Sequence, residues 1–222
     1  MHIINYIVSY FGGYSMNKRD AAETKARILS VAEDIFSRVG FDGARVDDIA
    51  KEAGVNKALI YYYFKSKNEI LETLFSSLME DARKILVSSM EGTPDVCGKD
   101  GYRKLFDIYI RFVSQKRKII QVAVAESAKA DILLSVVMEL GNLIINAEIE
   151  ALRAEYEKKG LYFPADKQEL LVMEFFTGFI PFLSYALYKN QWEVQYGINE
   201  EALQNHFYEA FKKTHLAAHL PK

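Results

Sequence analysis

The chain has 222 residues, half of them hydrophobic and 26% charged, a balance too apolar for disorder and long enough for one large or two small cores. Its 28 Lys and Arg against 30 Asp and Glu give a net charge of −2, which excludes a polycation that coats nucleic acid or an anionic membrane. The single cysteine, Cys97, excludes a disulfide framework and a Cys-rich zinc module, while four prolines and twelve glycines favour an all-α protein.

Charge divides the chain unevenly. Residues 17–67 hold 10 basic and 8 acidic side chains, residues 68–222 hold 18 and 22, and residues 1–16 hold none. A mildly basic segment on an acidic body suits local contact with a polyanion. The run Ile3 to Phe11 is too short to span a bilayer, for which ~20 apolar residues are needed. It also lacks the basic start and small-residue cleavage site of a signal peptide. Residues 1–16 therefore read as an upstream start before Met16 or an accessory extension, and the expected location is the cytoplasm. The sharper alternative is an amphipathic segment that packs on the body or on a partner.

Apolar spacing predicts a helix over 20–39 with Ile28, Leu29, Ala32, Ile35, Phe36 and Val39 on one face. Asp20 with Glu23 resembles a capping box, and Gly40 ends the helix. A short helix over 46–53 buries Ile49, Ala50 and Ala53 and stops at Gly54. Asn56 caps a third over 57–63, with Ile60 and Phe64 inward. Ser66 and Glu69 open a helix to about Met90, and residues 91–98 form a loop. Further helices are expected from Tyr102 to Val113, from the basic run Lys116-Arg117-Lys118 to Ala128, and over 130–158. The last two cover 168–189 and, capped by Asn199, a stretch to Leu216. No strand and no repeat is legible.

Two short helices joined by Ala53-Gly54-Val55-Asn56 have the form of a helix-turn-helix. The segment resembles the tetracycline-repressor (TetR) family of bacterial transcriptional regulators. The matching pieces are Ala32 with Phe36, Gly40-Phe41, Asp48-Ile49-Ala50, Ala53-Gly54-Val55, and Ile60-Tyr61-Tyr62-Tyr63-Phe64 followed by Ser66-Lys67. A recognition helix packs one face and sends the other into the major groove. Ile60 and Phe64 form the packed face, and Lys57, Ala58, Tyr61 and Tyr62 lie round the other. Lys57 can donate to guanine or phosphate, and Ala58 or a tyrosine ring can touch a thymine methyl. Arg45 is a base or backbone candidate, and Lys67 lies in a first helical turn that favours phosphate. The resemblance implies base contacts from Lys57, Ala58 and Tyr61, and backbone contacts from Tyr62, Tyr63 and Lys67. Leu59 departs from the small hydroxyl residue many members carry, so one phosphate contact of the family is missing.

Leu170 to Tyr188 holds one charge, Glu174, and is apolar all round. Glu174, Thr177, Gly178, Pro181 and Ser184 weigh against a transmembrane span, so burial on one side and pairing with a second subunit on the other is expected. Pro181 should kink this helix. The resemblance implies a homodimer through the last two helices, reading a palindromic operator in double-stranded DNA, and a small effector held inside residues 68–222. Candidates for that pocket are Phe106, Tyr109, Phe112, Glu126, Phe176 and Phe179. A carboxylate such as Glu126 or Glu174 on the cavity wall would favour a cationic ligand over a merely apolar or aromatic one.

No nucleotide-binding, nucleophile-elbow or zinc-protease motif is present. His215 and His219 are four apart but are expected in a terminal tail, so no metal, cofactor or catalytic residue is assigned. The reading is a non-enzymatic repressor with an extension (1–16), a DNA-binding head (17–67) and an effector and dimerisation domain (68–222). The alternative is a family member that works through a protein or membrane partner without a small effector.

Overall fold

The computed structural model describes residues 18–91, 99–127, 129, 134–163 and 166–218. The extension 1–16, most of the loop over 91–98, and His219 lie outside them. Among the described residues all regular structure is helical, and the chain divides into two compact units, residues 1–71 and 72–222.

In the first unit, α1 runs from Lys18 to Gly43 and is interrupted at Gly40, whose φ of 75° and ψ of 163° are non-helical. The amphipathic helix thus stops at Gly40, and Phe41 to Gly43 form one further turn. Helix α1 begins earlier than the Asp20 cap implied, at Lys18. Helix α2 (Val46–Glu52) buries Ile49 and Ala50, and α3 (Lys57–Tyr63) buries Ile60. Between them Gly54 takes φ +64°, the left-handed value that lets the chain reverse in so few residues. The core is Ile28, Ala32, Ile35 and Phe36 of α1, with Ile49, Ile60 and Phe64 pressed against them, all nearly inaccessible. Each Ile or Phe so buried contributes ~1.5–3 kcal/mol.

Helix α4 spans Lys67–Glu91. Its first turn, with Ile70 and Leu71, belongs to the first unit and the rest to the second. Its start is capped by Ser66 Oγ, which accepts from the Glu69 N–H at 3.2 Å. The Glu69 carboxylate accepts from Lys65 N–H at 2.6 Å, one residue earlier than a regular capping box.

The second unit contains α5 (Lys99–Gln115), α6 (Arg117–Ser127), α7 (Leu134–Lys158) and α8 (Lys167–Met173). A π-helical turn over Glu174–Phe179 follows, then α9 (Ile180–Tyr196), α10 (Glu200–Thr214) and a 3₁₀ turn at Leu216–Ala218. Helix α9 is the hub: it packs on α5, α6, the π turn and α10, which explains why its sequence is apolar all round. The basic break between α5 and α6 is not plain solvated charge. Lys116 Nζ pairs with Asp81 at 2.6 Å, and Arg117 Nε donates to the Ala186 carbonyl at 3.0 Å. Pro181 falls in the first turn of α9, where its missing N–H and its ring are accommodated by the wide turn before it. Pro181, expected to kink a helix interior, thus stands at a helix start.

Candidate nucleic-acid interface and interior cavity

Asn56 sets the start of α3: its side chain accepts from the Leu59 N–H at 2.7 Å. With Ile60 and Phe64 buried, the opposite face is turned outward, and Tyr62 is 77% and Tyr61 49% exposed. Lys57, Ala58 and Arg45 are exposed as well. Two exposed aromatics on one turn are unusual unless that surface is used. The face is polar and hydroxyl-rich at its tip, suited to phosphate oxygens and base edges.

Two of the basic candidates are already engaged within the unit. Lys57 Nζ lies 2.9 Å from Asp47 on α2, and the bond raises the lysine's pKa above its ordinary value. Lys67 Nζ donates to the carbonyls of Phe41 at 2.7 Å and Ala44 at 2.9 Å and stands 4.4 Å from the centre of the Phe41 ring. It satisfies the carbonyls left after Gly40 breaks α1, so its first role is to hold the α1–α2 corner. Tyr63 is half-buried, edge-on to Tyr62 at 5.1 Å, and its hydroxyl points inward. Of the sequence candidates, Arg45, Ala58, Tyr61 and Tyr62 are exposed, and Lys57 is exposed but paired with Asp47.

In the second unit a cavity of about 80 Å³ opens among α4, α5, α7, the π turn, α9 and α10. Phe106 and Tyr109 line it. A smaller one of about 30 Å³ shares Tyr109, Glu148, Phe182, Phe211 and His215 with it and adds Phe112 and Phe179. The other two sequence candidates lie elsewhere. Phe176 is 64% exposed, because the π turn rotates it outward, and Glu126 is buried in an ion pair with Lys129 at 2.7 Å. Neither lines these cavities.

The polar part of the cavity was largely missed in the sequence. Glu174 is 2% and His215 4% exposed, with Glu174 Oε2 at 3.4 Å from His215 Nε2. His215 Nδ1 meets Thr177 Oγ1 at 2.9 Å, and the hydroxyl also donates to the Met173 carbonyl at 2.7 Å. His215 is therefore a buried cap of α10 and not part of a loose tail. Gly178 makes this approach possible: a Cβ there would stand 2.8 Å from His215 Cε1. Glu148 of α7 accepts from the Tyr109 hydroxyl. Burial, then the nearby Glu174 charge, pushes its carboxyl up from 4.5 to about 8. Burial and Glu148 likewise hold the Tyr109 hydroxyl well above its ordinary range. Glu148 was legible in principle, since Ile144, Ala151 and Leu152 flank it at i−4, i+3 and i+4 on one face. No group of three or more potential metal ligands occurs among the described residues.

On the outer side of α9 and α10, Pro181, Tyr185, Tyr188, Trp192, Leu203 and Phe207 line an apolar groove of about 550 Å³. The segment Lys167–Tyr196 is long and apolar enough to cross a membrane by composition. In the fold it carries the buried Glu174 and is broken by the π turn.

Residues 28–74 match the family model of bacterial regulatory proteins, tetR family. A transcriptional repressor of Streptomyces coelicolor is 45% identical over 80 residues, covering 36% of this chain and 40% of that protein. The chain spans only 30–50% of the length of the first curated relatives it matches. Among solved structures, a TetR-like transcriptional regulator from Rhodococcus has a TM-score of 0.64 at 19% identity, covering 87% of this chain and 96% of that one. FadR of Bacillus subtilis, solved in complex with stearoyl-CoA, has a TM-score of 0.58 at 20% identity over 84% of this chain and 96% of that one. At such identity these two speak for the fold, whereas the helix-turn-helix match is in the sequence itself. Over residues 28–74, the chain is thus similar in sequence to the tetR family of bacterial regulatory proteins.

Proposed function

We propose that this chain is a dimeric, sequence-specific DNA-binding repressor of transcription, released from a palindromic operator when a small effector enters the second unit. The observation that carries the reading is the two-sided α3, with Ile60 sealed inside and Tyr61 and Tyr62 held outside on a capped, seven-residue helix. Tyr61, with Lys57 and Ala58, faces bases; Tyr62 and Arg45 hold the sugar-phosphate backbone. Tyr63 and Lys67 support that surface from behind. The apolar groove on α9 and α10 is the surface for a second copy, as a twofold protein suits a twofold operator. The site of action is the cytoplasm, where the DNA is.

Release follows two-state coupling. To move occupancy from 1:99 to 99:1 an effector must prefer the non-binding state by ~5.5 kcal/mol. The cavity of about 80 Å³ is smaller than the ~300–1,000 Å³ of drug-sized pockets, so an effector is either compact or opens the walls. FadR of Bacillus subtilis was solved with stearoyl-CoA; here the buried Glu174 and the half-buried Glu148 on the cavity wall oppose an anionic headgroup. The small cavity also favours a second reading, in which a protein partner replaces the effector.

The test is titration of the full chain on its own upstream DNA over a salt series, with scrambled competitor. Selective binding to a palindrome, with affinity falling steeply with salt, supports the reading. Tyr61→Ala should then cost ~1–3 kcal/mol of base discrimination with the dimer intact. Equal binding to scrambled DNA overturns the proposal.

A further inference from the structure

The larger cavity is walled by apolar groups such as Phe106, Phe182 and Phe211, whose rings lie 5.1–5.8 Å apart. Its titratable members are Tyr102 and Tyr109 from α5, Glu148 from α7, Glu174 from the π turn and His215 from the end of α10. Helix α4 contributes Leu86 and Ser89 and α9 contributes Phe182, none of which titrates. Among the described residues no Lys or Arg stands on the wall. Two carboxylates brought by separate elements into an aromatic cavity are costly for a core that has only to pack. Here α7, the π turn and the close approach at Gly178 all serve to bring them there.

We propose that this cavity binds an amphipathic monocation, a protonated amine on a compact apolar body, with its ammonium between Glu148 and Glu174 and its body against Phe106, Phe182 and Phe211. The proposal rests on the reading of the second unit as an effector domain and names the chemistry that domain selects. The Glu174 carboxylate has about four acceptor positions and stands on the cavity wall beside His215, 3.4 Å away. The aromatic rings add cation–π attraction. Glu148, held up to about 8 by burial and by Glu174, carries its proton in the empty cavity at neutral pH. The arriving cation favours the carboxylate and expels that proton to solvent, so binding is coupled to proton release.

The experiment titrates the full chain with n-butylammonium, 1-butanol and butyrate at millimolar concentration, by calorimetry in buffers of different ionisation enthalpy. The cation should bind at least tenfold more tightly than the alcohol, and butyrate should not bind. Cation affinity should rise about tenfold from pH 6 to pH 7, the slope for release of one proton. Glu174→Gln should lose at least tenfold in cation affinity, and Glu148→Gln should flatten the pH dependence, both with folding checked by circular dichroism. If the alcohol or butyrate binds as tightly as the cation, the charge assignment falls while the effector domain stands. If none of the three binds, both fall.

Discussion

The two units use charge in opposite ways. In residues 18–71 the core is wholly apolar, and the ion pairs Arg38–Glu52 and Lys57–Asp47 sit at the surface, 2.8 and 2.9 Å long. In residues 72–218 Glu174 and His215 are buried and Glu148 is half-buried, all three around a cavity. The first arrangement is cheap to fold and leaves an outward face free to bind. The second costs desolvation at every polar group, so its stability depends on conditions the first unit ignores. On the proposed reading the head meets DNA with its outside, and the body holds its effector inside.

The largest expected effect tests whether the two units are energetically separate. Phe36→Ala removes a fully buried ring and should cost ~3–5 kcal/mol. The head should unfold and DNA binding vanish while the melting transition of the body remains. A single transition that falls as a whole would show one cooperative unit and erase the contrast.

The next effect concerns pH. Glu148 titrates at about 8 in the fold against an ordinary 4.5, so between those values the folded body keeps a proton the unfolded chain has lost. Its contribution is fully present below about 4.5, declines as pH rises and levels off above about 8. The stability of wild type minus that of Glu148→Gln should therefore fall from pH 5 to pH 8, read as body melting temperature. The head transition should not follow it. A flat difference would place Glu148 in a solvated setting.

The smallest separates two roles of one lysine. Lys67→Met removes a donor to two carbonyls and a cation over a ring, and should cost the head ~1–2 kcal/mol. The salt slope of DNA binding should change by well under the ~0.9 that one phosphate contact carries. A full loss of that share would show the ammonium leaving its carbonyls to reach the DNA backbone.

Legibility in the sequence follows the range of the forces involved. Helix α3 has the bounds that Asn56 and the Ile60/Phe64 pair imply, because a cap and an i, i+4 face act within a few residues. The same holds for the turn at Gly54. The intramolecular partners of Lys67 are not legible in the sequence, because they lie 26 and 23 residues back and depend on how α1 ends. In the body, Phe106 and Tyr109 are found from periodicity, yet nothing local places Glu148 and His215 together. Their meeting needs α7 and α10 packed around the π turn. That turn is itself silent in the sequence, since a segment apolar on all sides has no stripe from which its phase can be read. Phe176 was placed inward for that reason and lies outward.

The π turn over Glu174–Phe179 has a consequence for inheritance as well as for shape. Each residue of a regular helix advances by about 100°, and a π turn is one residue more than an α turn needs. Loss of a single codon within it would leave the reading frame of the gene intact and α9 itself unchanged in sequence. It would nevertheless turn the whole of α9 by about 100° against the residues before it. Phe182, Leu183 and Ala186, now buried, would swing towards solvent, and Tyr188 and Trp192 would leave the apolar groove. The cavity and the outer surface of this helix are therefore phased by one inserted residue and stand or fall together.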